Sequence, residues 1–182
     1  MPDYRRPMIA GATYFLTLVA RGRRPLFADR ASIDVLRRSL QAVRRRRRFE
    51  IDAAVVLPDH LHFLWTIPDG DVSACVGLFK ASATRAFRTS GRRPPLDRRR
   101  EGDVWQKRFW DHVIRNERDL SLHLDYIHYN PVKHGFAQCP HQWQASSFDR
   151  WVEKGVYAFD WRCQCDGKPA KDPCPSAMEA GE

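Results

Sequence analysis

The run His60-Leu61-His62-Phe63-Leu64-Trp65-Thr66-Ile67 constrains the chain most. An extended strand sends successive side chains to opposite faces. His60, His62, Leu64 and Thr66 therefore share one face, and Leu61, Phe63, Trp65 and Ile67 share the other. Bulk on both faces predicts a central strand with packed elements above and below it.

The flanking segments supply those elements. Tyr14 to Val19 is rich in aromatic and β-branched residues and reads as a buried strand. Ile51 to Leu57 reads as a second, broken by Pro58-Asp59. Ile33, Leu36, Leu40 and Val43 are at helical spacing within Ser32 to Arg48. Val72, Val76, Phe79, Ala83 and Phe87 are so within Val72 to Thr89. Val104 to Trp110 and His112 to Arg115 read as two short strands or one bent strand.

Glu117 to Asn130 predicts a third helix. Leu120, Leu124 and Ile127 would face the core, with Asp119, His123, Tyr126 and Asn130 on the other face. Pro131 pushes the preceding residue out of helical dihedrals, so the helix is expected to end at Asn130. The order β-α-β-β-α-β followed by a helix predicts an α+β, ferredoxin-like (split β-α-β) antiparallel sheet. Two helices would cover one face and the third would lie toward the other. A length of 182 residues suits one such domain. We expect it to span 1–158, with a polar, flexible tail over 159–182 that holds Pro169, Pro173 and Pro175.

The formal charge is +9 and arginine supplies nearly all of the excess. Arginine grips phosphate through a planar fork and stacks on bases, so a polyanionic partner, nucleic acid first, is expected. Arg44 to Arg48 are consecutive, and Arg92, Arg93, Arg98, Arg99 and Arg100 form a second cluster. The five cysteines, Cys75, Cys139, Cys163, Cys165 and Cys174, show no CxxC spacing. The spacing suggests no structural zinc site, and free thiols are expected. No apolar run approaches a membrane span, and the first residues lack a signal-peptide core; a cytoplasmic location is expected.

Two histidines at i and i+2 on one strand project from the same face, close enough to bind one cation, although a His-x-His pair alone serves equally well in a structural role. Tyr126 and Asn130 lie one turn apart on one helical face, and the asparagine oxygen can be a third ligand. Tyr126 by itself suits packing between helix and sheet.

Taken together and in this order, three segments resemble the REP-associated tyrosine transposases, a branch of the single-tyrosine HUH transposases. They are Pro58-Asp59-His60-Leu61-His62, Val104 to Arg115, and Tyr126-Ile127-His128-Tyr129-Asn130-Pro131-Val132. The resemblance covers roughly Tyr4 to Phe148. It implies Tyr126 as nucleophile, His60, His62 and Asn130 as ligands of a divalent metal ion (Mg2+ or Mn2+), and single-stranded hairpin DNA as substrate. Related insertion-sequence enzymes carry glutamine at the position of Asn130, which reaches further.

The implied reaction is strand cleavage through a 5′-phosphotyrosine, followed by rejoining. Tyr129, one residue before Asn130, is a competing nucleophile on geometry alone. His123 and Asp111 are candidates to assist. DNA contacts are expected from Arg5, Arg6, Arg44, Arg45, Arg47, Arg48, Arg92, Arg93, Arg108 and Lys133. The protein is expected to act as a monomer or homodimer, away from membranes. Two other readings are a DNA-binding protein without catalysis and a relaxase or replication-initiator nickase.

Overall fold

The computed structural model describes residues 8–91 and 104–165. Strands β1 (Ala12–Val19), β2 (Glu50–Val56), β3 (His60–Ile67) and β4 (Trp110–Val113) form one sheet in the order β2-β3-β1-β4. Every pairing is antiparallel. Helices α1 (Arg30–Arg44), α2 (Val72–Thr89), α3 (Glu117–Lys133) and α4 (Phe148–Glu153) complete the order. This is the ferredoxin-like split β-α-β arrangement, with β3 inside the sheet. No helix among the described residues is long and apolar enough to cross a membrane.

The alternation along β1 and β3 divides the core. Tyr14, Leu16, Leu18, Leu61, Phe63 and Trp65 pack under α1 and α2, against Val35, Leu36, Val76 and Phe79. On the opposite face Phe15, Val55 and Leu64 meet Leu124, Tyr126 and Ile127 of α3. Each long helix begins on a side chain that takes up a free backbone N–H. Asp29 accepts from Ser32 at 2.7 Å, Asp71 from Ala74 at 2.9 Å and Asn116 from Asp119 at 2.9 Å. Such a cap contributes about 0.5–2 kcal/mol. The outer edge of β2 is closed rather than left as a pairing template. Val56 N–H donates to Ala145 at 2.8 Å, Ser147 N–H to Ala54 at 2.9 Å, and Trp143 Nε1 to the Val56 carbonyl at 2.9 Å.

Several expectations are corrected. Helix α1 stops at Arg44, not Arg48, because Phe49 must turn into the core to start β2. Helix α3 runs through Pro131 to Lys133. A proline in the last turn forfeits one N–H bond, and burial of Asn130, Pro131 and Val132 outweighs that loss. Tyr126 and Leu124 do not face apart. At about 100° per residue the two stripes of α3 are neighbours about 90° apart, and a wide helix face buries both. Of the segment after Val104, the bridge between Ala20 and Trp105 and strand β4 are extended.

Packing continues beyond residue 158. Trp161 lies 4.5 Å from Tyr157 and 6.1 Å from Phe148, centroid to centroid, and Gln164 Nε2 donates to the Tyr129 hydroxyl at 2.6 Å. The thiols are not all free: Cys139 and Cys163 form a disulfide, whereas Cys75 and Cys165 are unbonded. Turns at Pro140–Gln142 and after Asp160 bring those distant residues together. Cys174 lies outside the described residues.

Candidate active site

His60 and His62 open β3 on the face that α3 covers, opposite Val19 and Thr17 of β1. Both are buried, and their ring centroids are 4.9 Å apart. Each is held by its Nδ1. His60 Nδ1 is 2.6 Å from Asp59 Oδ1, and His62 Nδ1 is 3.0 Å from Thr17 Oγ1. Placing the ring proton on Nδ1 satisfies both contacts and leaves each Nε2 lone pair exposed to its surroundings. Both Nε2 atoms are buried with no hydrogen-bond partner among the described residues. Asp59 is itself tied to Arg23, 3.4 Å away, so a chain of contacts orients the first imidazole.

Burial holds the His60 imidazole below its usual range, against the pull of Asp59. It pushes fully buried His62 well below that range, and the nearby His60, His134, Lys133 and Arg23 add to the effect. Both rings are therefore neutral at neutral pH, the form that donates a lone pair.

Helix α3 delivers the remaining groups along one stripe, Tyr126, Asn130 and His134, spaced four apart. The Tyr126 ring is 5.2 Å from His62 and the His134 ring 5.3 Å from His60. Asn130 lies between them on the stripe. It is 1% exposed, and neither its Oδ1 nor its Nδ2 has a partner among the described residues. Buried polar atoms without partners are costly and are rarely left so without a ligand. Two imidazole nitrogens and an amide oxygen make a donor set that fits a divalent cation. Lys133 Nζ sits 5.0 Å from the centre of the Tyr126 ring. Phe15 packs against the rings of both His62 and Tyr126.

Tyr129 faces elsewhere. Its hydroxyl accepts from Gln164, and the Arg162 guanidinium lies 5.5 Å from its ring. His123 is buried against Phe15 at 4.7 Å and joins His112 and Asp119 in a cluster of its own. Asp111 pairs with Leu16 and so lies on the α1–α2 face, away from Tyr126.

The expected DNA contacts are scattered. Arg44, Arg45 and Arg48 are exposed, on the α1–α2 side and beyond the end of β3 remote from His60. The strand length alone separates them from the histidines by about 23 Å. Arg47 pairs with Asp69 and with Asp71 at 3.8 Å, an internal use. Arg108 is exposed on a segment whose carbonyls take Lys80 Nζ. Among the described members of the set, Lys133 alone borders the tyrosine. Arg5, Arg6, Arg92 and Arg93 lie outside the described residues.

Sequence reasoning missed Asp59, Thr17 and Arg23 as supports, and it gave His134 no part beside His60. The adjacency of Asp59 to His60 was the one available signal for the first. Thr17 and His134 come from other elements and are visible only once the strands pair.

Comparison with known proteins places this geometry in context. The family model described as "Transposase IS200 like" matches residues 9–130. A REP-associated tyrosine transposase of Escherichia coli (strain K12) is 40% identical over 163 residues, covering 88% of this chain and 91% of the relative. A protein of Haemophilus influenzae (strain ATCC 51907 / DSM 11121 / KW20 / Rd), provisionally named as the same kind of transposase, is 37% identical over 165 residues, covering 88% and 93%. Among solved structures, that of a REP-associated tyrosine transposase bound to a REP hairpin superposes with a TM-score of 0.78 at 36% identity. It covers all of this chain and 98% of that one.

Proposed function

The chain belongs to the IS200-like transposases, in their REP-associated tyrosine branch, and on that premise we propose that it is a metal-dependent endonuclease and strand transferase acting on single-stranded, hairpin-forming DNA. The observation that carries this reading is the contact of Tyr126 with His62, beside two imidazole nitrogens that have no partner among the described residues.

His60 Nε2, His62 Nε2 and Asn130 Oδ1 would hold a divalent cation, Mg2+ or Mn2+; nitrogen donors favour Mn2+. Bound there, the cation supplies Lewis acidity at the non-bridging oxygens of the scissile phosphate. The residues do the rest. Asp59 and Thr17 fix the two rings and their tautomers. A phenol with an ordinary pKa near 10 is a weak nucleophile at neutral pH; Lys133 Nζ lies 5.0 Å from the centre of the Tyr126 ring, placing a positive charge beside it. Tyr126 Oη attacks phosphorus, the bond from phosphorus to the 3′-oxygen breaks, and that oxygen leaves as a 3′-hydroxyl after taking a proton. The 5′-phosphotyrosine keeps the phosphodiester energy. A second 3′-hydroxyl can then attack it, join the strands and release the phenol. Water in place of tyrosine would lose the strand end.

The relative seen with a REP hairpin supports the substrate class. The test is incubation of single-stranded hairpin DNA with the protein and Mn2+ or Mg2+, followed by denaturing electrophoresis and mapping of any adduct. Wild type and Tyr129→Phe should form a covalent protein–DNA species at Tyr126, and Tyr126→Phe should form none. DNA left uncut by wild type, or an adduct persisting in Tyr126→Phe, would overturn the reading.

A further inference from the structure

The fold gathers a second set of donors away from the tyrosine. The turn after α3 presents Cys139 and His141, and the segment after α4 presents Cys163 and Cys165. Donor atoms of Cys139, His141 and Cys163 all lie within 4.8 Å of one another. Cys165 Sγ is 3.2 Å from Cys139 Sγ, and Cys163 Sγ is 3.7 Å from His141 Nδ1. The disulfide between Cys139 and Cys163 accounts for two of these four groups. It gives no reason for a third sulfur to converge on the same point, where His141 Nδ1 also lies 3.1 Å from the Phe159 carbonyl, a contact the ion would displace.

We propose that Cys139, His141, Cys163 and Cys165 form a structural zinc site. Three thiolates and one imidazole are a usual closed tetrahedral donor set for Zn2+. With Zn–S near 2.3 Å, sulfurs in such a site stand about 3.8 Å apart; Cys139 and Cys165 Sγ, 3.2 Å apart, need move little, whereas the bonded Cys139 and Cys163 must separate to admit the ion. A thiol reductant must first open the Cys139–Cys163 bond, giving two electrons and two protons and itself becoming a disulfide; the three thiols then release their protons to solvent as the metal enters. The same sulfurs cannot serve a disulfide and the ion together.

The site has a structural purpose. Residues 159–165 lean on the outer side of the helix that carries Tyr126, through Gln164 on Tyr129 and Arg162 near Asp125. A metal clip between residues 139–141 and 163–165 anchors that segment at its end. The spacing, Cys-x-His and then Cys-x-Cys, differs from the familiar paired CxxC, and the folded turns are what unite the halves.

The experiment uses the full chain, purified under reducing conditions without chelator. Elemental analysis should find one zinc per chain, retained in the double variant His60→Ala/His62→Ala and reduced at least tenfold in Cys139→Ser/Cys163→Ser. Should that variant fail to fold, wild type reconstituted with Co2+ remains decisive. It should show thiolate-to-cobalt charge transfer and tetrahedral d–d absorption, with weaker charge transfer in Cys165→Ser. A metal-free wild-type chain with two thiols missing from a denatured titration would overturn the proposal in favour of the disulfide. Zinc lost only in the His60/His62 variant, or a Co2+ spectrum without thiolate bands, would overturn it as well.

Discussion

His60 and His62 are each gripped at one ring nitrogen, by a carboxylate and a hydroxyl, so that the other nitrogen is aimed before any ligand arrives. Partners of this kind typically govern metal affinity by 10–100-fold. Asp59→Ala should weaken Mn2+ binding by about that factor, measured by calorimetry on the DNA-free protein, with the fold unchanged by circular dichroism. Thr17→Val should lose less, since a hydroxyl orients the ring without adding negative charge. Unchanged affinity in Asp59→Ala would mean that the pair is held by the strand alone. At this scale the sequence was informative where neighbours in space are neighbours in the chain. Spacing on a strand and a helix put His60 with His62 and Tyr126 with Asn130 on common faces, and the family resemblance implied their roles. His134 could not be placed this way, because its meeting with His60 depends on how far α3 continues past Pro131.

The strands and long helices were legible because their apolar residues repeat at the periods of those elements. What was not legible was decided by tertiary packing. α3 keeps its turn beyond a proline, and α1 gives up four arginines so that Phe49 can be buried. The outer side of α3 yields a pH prediction. His128 is buried, its Nε2 lies 2.9 Å from Ser147 Oγ, and burial lowers its pKa to about 3. An unfolded histidine titrates near 6.5. Between those values the unfolded chain binds a proton that the folded chain refuses, so stability rises with pH there. His128's contribution is complete above about pH 6.5 and is lost as pH falls toward 3, at up to about 1.4 kcal/mol per pH unit. Urea unfolding of His128→Gln should show a shallower acid slope over that window. An identical slope in wild type and variant would assign the acid sensitivity to other buried groups, among them His62 and His123.

Across the whole molecule, charge and chemistry are kept apart. The arginines at the end of α1 lie on the far side and far end of the sheet from the histidine pair. They should raise affinity for a polyanion without touching the reacting phosphate. Replacing Arg44, Arg45 and Arg48 together by alanine should weaken hairpin binding and lower the slope of log affinity against log salt by up to about 0.7 per lost phosphate contact. The cleavage rate at saturating DNA should stay the same. A drop in that rate with unchanged affinity would place those arginines in the reaction instead. Composition indicated a polyanionic partner, but a run of arginines gives no direction, and only the fold shows which side of the sheet carries it.

The register of β1 has a consequence for synthesis. This strand is paired on one side with β3 and on the other with β4, and α3 follows β4. A chain leaving the ribosome exposes its histidine pair well before its tyrosine. A product ended before α3 would therefore carry His60 and His62 without Tyr126. On the proposed reading, cleavage therefore waits until translation has passed the last strand of the sheet and entered α3.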